Sequence, residues 1–92
     1  EVELPTEFSL YQNYPNPFNP TTRIKYNLPA ASAVKLVIYN ILGQAVATVV
    51  DEVQEAGYKS VEWSANNISS GVYFYKLTVG DFTEIKKMLL IR

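Results

Sequence analysis

From Arg23 to Leu28 the chain alternates strictly. Ile24, Tyr26 and Leu28 share one parity, and Arg23, Lys25 and Asn27 share the other. A period of two with one wet side predicts a strand laid over a core. The same reading places strands at about 8–12, 33–40, 45–50, 58–64, 71–79 and 82–91. In 33–40, Val34, Leu36 and Ile38 alternate with Lys35, Val37 and Tyr39. In 58–64, Val61 and Trp63 share a face with Lys59. In 71–79, Tyr73, Tyr75, Leu77 and Val79 share one face. The expected core is Val34, Leu36, Ile38, Val61, Trp63, Leu77 and parts of the last strand, with Trp63 as its central plug rather than a stacking platform.

Turn residues separate these runs. Pro29-Ala30-Ala31-Ser32 breaks the chain, and Gly43 is the positive-φ position of a turn at 41–44. Gly80-Asp81 signals a tight hairpin of type II′. Asp51 to Gly57 reads as an acidic loop. Phe82, Glu84, Lys86, Met88 and Leu90 share one parity, Thr83, Ile85, Lys87, Leu89 and Ile91 the other. Neither face of this last strand is purely apolar, so a bulge near Lys86-Lys87 is expected. Its lysines also protect an edge from pairing. Seven short strands predict an all-β fold: an Ig-like antiparallel β-sandwich with the first and last strands at sheet edges.

Composition narrows the chemistry. The chain has 92 residues, which is one domain, with residues 1–7 as an exposed lead-in and 8–92 as the sandwich. Glu1 suggests a piece of a longer protein, and Pro5 with its neighbouring acids an exposed approach. There is no cysteine and no histidine, which removes disulfides, thiolate chemistry, the commonest general base and the commonest metal ligand. Net charge is −1 and the charges are scattered, so no nucleic-acid face is expected. Asp51, Glu52 and Glu55 offer hard oxygens, but their spacing matches no ordered calcium loop. No catalytic, cofactor or metal residue is assigned, and the chain is read as a non-enzyme.

The least ordinary stretch is Tyr11-Gln12-Asn13-Tyr14-Pro15-Asn16-Pro17-Phe18-Asn19-Pro20. Prolines fix φ and push the preceding residue toward extended conformations, while asparagines bond to nearby backbone. This is a stiff connection with Tyr14 and Phe18 as aromatic anchors, not a flexible linker. It closes a sandwich end or contacts a partner.

LYQNYPNPFNPTTRIKYNLP, followed by Ile38-Tyr39-Asn40-Ile41-Leu42-Gly43, then SSGVYFYKL and a closing KKMLLIR, resembles the C-terminal sorting domains of the bacterial type IX secretion system. It is also similar to the Ig-like domain of flagellar hook-assembly scaffold proteins. The resemblance runs from about Phe8 to Arg92. It implies a domain appended to a cargo that crosses to the periplasm by its own signal peptide. The translocon then recognises the domain, and a sortase-like peptidase commonly removes it, leaving the cargo at the cell surface or in the medium. By resemblance, translocon recognition falls on Pro15, Asn16, Pro17, Gly71, Tyr73, Lys86, Lys87 and Arg92. The alternatives are a structural Ig-like module of a hook scaffold and a carbohydrate-binding module of a secreted enzyme, the latter suited by exposed tyrosines. Exposed edges would also permit weak pairing of two copies.

Overall fold

A computed structural model describes residues 3–92. Its strands are β1 (Ser9–Leu10), β2 (Thr21–Leu28), β3 (Ser32–Tyr39), β4 (Ala45–Gln54), β5 (Gly57–Ser64), β6 (Gly71–Val79) and β7 (Phe82–Leu90). Two antiparallel sheets face each other. One has the order β1-β2-β5 and the other β4-β3-β6-β7, so β1 and β7 are edge strands as expected. The first strand is shorter than its alternation suggests, because Tyr11 pairs once more with Lys25 and the chain then swings into the proline segment.

The alternation in β2, β3 and β6 is what places the core. Ile24, Tyr26 and Leu28 meet Val34, Leu36, Ile38, Tyr75 and Leu77, with Met88 and Leu90 from β7. Each such side chain removed from water contributes about 1.5–3 kcal/mol against chain entropy. Trp63 and Val61 lie at the margin of this cluster, half-buried, and not at its centre. The large buried rings are Tyr26, Tyr75 and Phe18, since β5 is an edge strand and its inner face is only half covered.

Two further expectations are corrected. The stretch from Asp51 to Gln54 is not a loop. It continues β4, and Ser32 to Lys35 pair with it in regular register. Acidic side chains fit there because the strand is an edge and those positions are solvent-exposed. β7 carries no bulge at Lys86-Lys87. Its register with β6 is unbroken from Phe82 to Leu90. The mixed parity resolves differently. Glu84 and Lys86 both point to the inner side, half-exposed, and pair at 3.3 Å. The register shifts lie instead between β3 and β4, at Leu36/Val37 and Ile38/Tyr39. In the β6–β7 hairpin only Gly80 has positive φ (+58°), which suits the II′ turn.

Of the lead-in, residues 1 and 2 lie outside the described residues. Glu3, Leu4, Thr6 and Glu7 are exposed, whereas Pro5 is buried. Phe8 then stacks on Phe82 at 5.5 Å between ring centroids.

Candidate functional site

An edge strand leaves alternate backbone N–H and C=O groups without partners. On β7 the outward groups of its C-terminal half are taken up by the proline segment. Gln12 Nε2 donates to the Lys87 carbonyl at 2.7 Å, and the Leu89 N–H donates to Asn16 Oδ1 at 2.9 Å. The Phe18 N–H donates to the Leu89 carbonyl, and the Ile91 N–H to the Phe18 carbonyl, each at 3.0 Å. Phe18 thus forms a parallel bridge beside Leu90, and its ring is buried 6.0 Å from that of Trp63. Phe18 is an anchor as expected. Tyr14 is not. Its backbone pairs with Arg23, but its ring is 81% exposed.

Beneath the segment lies a buried polar network. Tyr75 Oη donates to the Tyr11 carbonyl at 2.7 Å and accepts from the Asn13 N–H at 2.8 Å. Asn13 Nδ2 reaches Thr22 Oγ1 at 3.0 Å and the Pro15 carbonyl at 3.1 Å, and Thr22 Oγ1 also donates to the Pro15 carbonyl. Asn13 and Thr22 are almost fully buried, and among the described residues no buried side-chain polar atom lacks a partner. Satisfied networks of this kind hold one geometry, because each broken bond would strand a polar group away from water. Burial pushes the Tyr75 hydroxyl up to about 12, with the Asn13 N–H acting in the opposite direction.

The residues singled out by resemblance separate into two groups. Pro15, Asn16, Pro17 and Lys87 lie on or beside this seam. Pro15 supplies a carbonyl, and Asn16 the bond to β7. Tyr73 and Arg92 hold a different loop. Tyr73 Oη donates to the Ser69 carbonyl at 2.7 Å, and the Arg92 guanidinium to the Ala65 and Ile68 carbonyls at 2.6 and 3.0 Å. Gly71 opens β6 at φ +153°, with open space where a Cβ would stand, so its constraint is backbone conformation and not packing. Lys86 and Lys87, adjacent in sequence, face opposite sides of the sheet. Gln12, Asn13, Thr22 and Tyr75 were missed by sequence reasoning. Asn13 and Gln12 belong to the motif, but nothing local reveals that their partners lie on β2, β6 and β7.

No cluster of metal-ligating residues occurs among the described residues, and the seam presents donors and rings, not a nucleophile and base. Residues 12–91 match the secretion system C-terminal sorting domain family, and the chain belongs to that family. It is a sorting domain of type IX secretion, a family that is not catalytic, and the proteins carrying such domains are exported to the cell surface or secreted. Among solved structures it is similar to PorZ, described as an essential bacterial surface component of the type IX secretion system of Porphyromonas gingivalis. The identity is 20% and the TM-score 0.65, over 90% of this chain and 11% of that one, so the likeness is one of fold. The chain spans about a tenth of that protein's length. No curated protein matches.

Proposed function

We propose that the export machinery reads this domain as a folded module, and that the sewn seam between the proline segment and β7 is what makes the module readable. The observation that carries this is the set of four hydrogen bonds joining Gln12, Asn16 and Phe18 to β7 and Ile91. They bring two sequence motifs some seventy residues apart onto one surface (residues 16 and 89 are 73 apart). In this reading Pro15, Asn16, Pro17 and Lys87 contribute to the contact surface. Gly71, Tyr73 and Arg92 act by positioning the loop that precedes β6, and Lys86 by its pairing with Glu84. The translocon is the partner, the cargo lies upstream in the same chain, and passage is through the periplasm. Where a sortase-like peptidase removes the domain, the cut would fall near or before residues 1–7. The domain itself performs no catalysis. Two features work against pairing of copies through edges: the covering of the C-terminal half of β7 and the two register shifts beside β4.

The test is a secretion assay. The domain is fused behind a signal peptide and a reporter, in a type IX-competent bacterium and in its translocon-null derivative. Export that requires both domain and translocon supports the reading. Folded reporter retained in the periplasm of the competent host removes it.

A further inference from the structure

The outer face of the three-stranded sheet sets its side chains in three rows. Ser9, Asn27 and Tyr58 form one, and Tyr11, Lys25 and Ser60 the next. Tyr14, Arg23 and Glu62 form the third. The rows lie two residues apart on β2, so together they span about 14 Å. A cleft of about 440 Å³ is lined by Tyr11, Lys25, Asn27, Tyr58, Lys59 and Ser60. A second, of about 400 Å³, shares Tyr11 and Lys25 with it and adds Gln12, Tyr14 and Arg23, which makes the two one trough. Its polar groups are already fixed. Asn27 Nδ2 donates to Tyr11 Oη at 2.7 Å, and Arg23 Nη1 donates to Ser60 Oγ at 3.0 Å. Arg23 also pairs with Glu62. Asn27 is only 9% exposed, yet no donor among the described residues meets its Oδ1. No fully buried side-chain polar atom there lacks a partner, so this oxygen reaches solvent, and the cleft is the space that Asn27 lines. Lys25 and Lys59 pair with no carboxylate among the described residues, and none of the lining side chains is acidic.

We propose that this trough binds a saccharide chain that carries carboxylates. It is a second site on the domain, on the sheet that does not contain β7, and it does not depend on how export is read. A sugar ring presents a flat C–H face bordered by hydroxyls. The trough presents the complement. Tyr11 and Tyr58, 47% and 64% exposed, offer ring area. Asn27 Oδ1 offers an acceptor and Ser60 a hydroxyl, the few fixed polar groups that orient a ligand. Lys25 and Lys59 offer two unpaired ammonium groups, which select a carboxylate-bearing chain over a neutral one. Because Asn27 and Ser60 already hold Tyr11 and Arg23, little side-chain order has to be gained on binding. A peptide fits less well. β2 lies between β1 and β5, so its backbone is taken and offers no strand pairing, and no aliphatic residue lines the trough to receive a helix. A single nucleic-acid strand fits less well too. It brings one phosphate per base to a chain whose net charge is −1 and whose third row ends in Glu62.

The experiment titrates the 92-residue chain with a galacturonate oligomer and follows backbone amide shifts. The methyl-esterified oligomer, polyglutamate and oligothymidylate are the comparison probes. Saturable shifts are expected at Tyr11, Lys25, Asn27 and Tyr58, with the esterified oligomer weaker. Tyr58→Ala, at an exposed position, is expected to weaken binding about tenfold or more at the parent's melting temperature, while Tyr58→Phe, which keeps the ring, binds like the parent. Lys25→Gln is expected to cost about fivefold and to flatten the salt dependence. Lys35→Gln, an exposed lysine on the other sheet, is the control and should change nothing. No saturable binding of the parent overturns the proposal, as does binding that shifts residues outside the trough or that Tyr58→Ala leaves intact. A loss with Lys35→Gln equal to that with Lys25→Gln overturns it by assigning the binding to charge at large. Equal binding of the esterified oligomer overturns the carboxylate requirement. Polyglutamate or oligothymidylate bound as tightly as the saccharide overturns the assignment in favour of a peptide or a nucleic-acid strand.

Discussion

Tyr75 shows how one side chain joins core and seam. Its ring is fully buried in the sandwich, while its hydroxyl bridges the Tyr11 carbonyl and the Asn13 N–H at the base of the proline segment. Deleting that hydroxyl would leave the buried Asn13 N–H and the part-buried Tyr11 carbonyl without this partner, at a cost of about 1–3 kcal/mol. The same burial makes the group pH-sensitive in one direction. Its folded-state pKa is raised from 10 to about 12, so between those values the folded state retains a proton that the unfolded chain has released. The contribution is complete below pH 10 and is lost as pH rises toward 12. Tyr26, which donates to Gln54, is raised as well, chiefly by burial, and acts in the same sense. Denaturant melts at pH 9, 10.5 and 11.5 should therefore show falling stability in the parent. Tyr75→Phe should be less stable at pH 9 but show a shallower decline. A decline of equal steepness in the two proteins would mean that Tyr75 does not carry the effect.

At the scale of elements, β7 is an edge strand with two unlike halves. Leu89 and Ile91 have their outward N–H groups bonded to Asn16 and to the Phe18 carbonyl, whereas among the described residues the Ile85 N–H has no such partner. Amide hydrogen exchange should thus protect Leu89 and Ile91 well above Ile85, although all three lie on the same edge. Asn16→Ala should speed exchange at Leu89 and cost about 1 kcal/mol, the loss of one bond at a partly solvated site. Equal exchange at Leu89 and Ile85 in the parent would mean that the seam is open in solution. This is also where sequence reading reached its limit. Strict alternation in β2 and β6 announced their inner faces, and Gly80-Asp81 announced the hairpin between β6 and β7, because these signals are local. The seam joins residues 62 to 75 positions apart, which no local pattern encodes. Asp51 and Glu52 misled for a related reason. Charge on a strand looks like a loop until the strand is known to be an edge. Glu84 and Lys86 looked like a bulge because an inward ion pair at a half-covered rim breaks the usual apolar parity.

For the molecule as a whole, what matters is how little of its stability rests on charge. The chain carries eight basic and nine acidic residues, a net charge of −1, no histidine and no cysteine. Its ion pairs among the described residues are Arg23–Glu62 at 3.7 Å and Lys86–Glu84 at 3.3 Å, both substantially exposed. Pairs of this kind contribute about 0–1 kcal/mol each and fade with salt. The fold is held instead by two apolar inner faces and a satisfied polar network, neither of which ionic strength alters much. A domain of exported proteins gains from that independence, since neither salt nor redox state decides whether its fold forms. Raising sodium chloride from 0.05 to 0.5 M should change stability by less than about 1 kcal/mol, or less than about 8 °C in melting temperature for a domain of this size. The screened pairs predict a small fall and nothing in the fold predicts a large rise. A strong rise would point instead to like-charge repulsion between copies or within the exposed β4 edge, where Asp51 and Glu52 stand close together, and would locate in electrostatics the stability that this account assigns to packing.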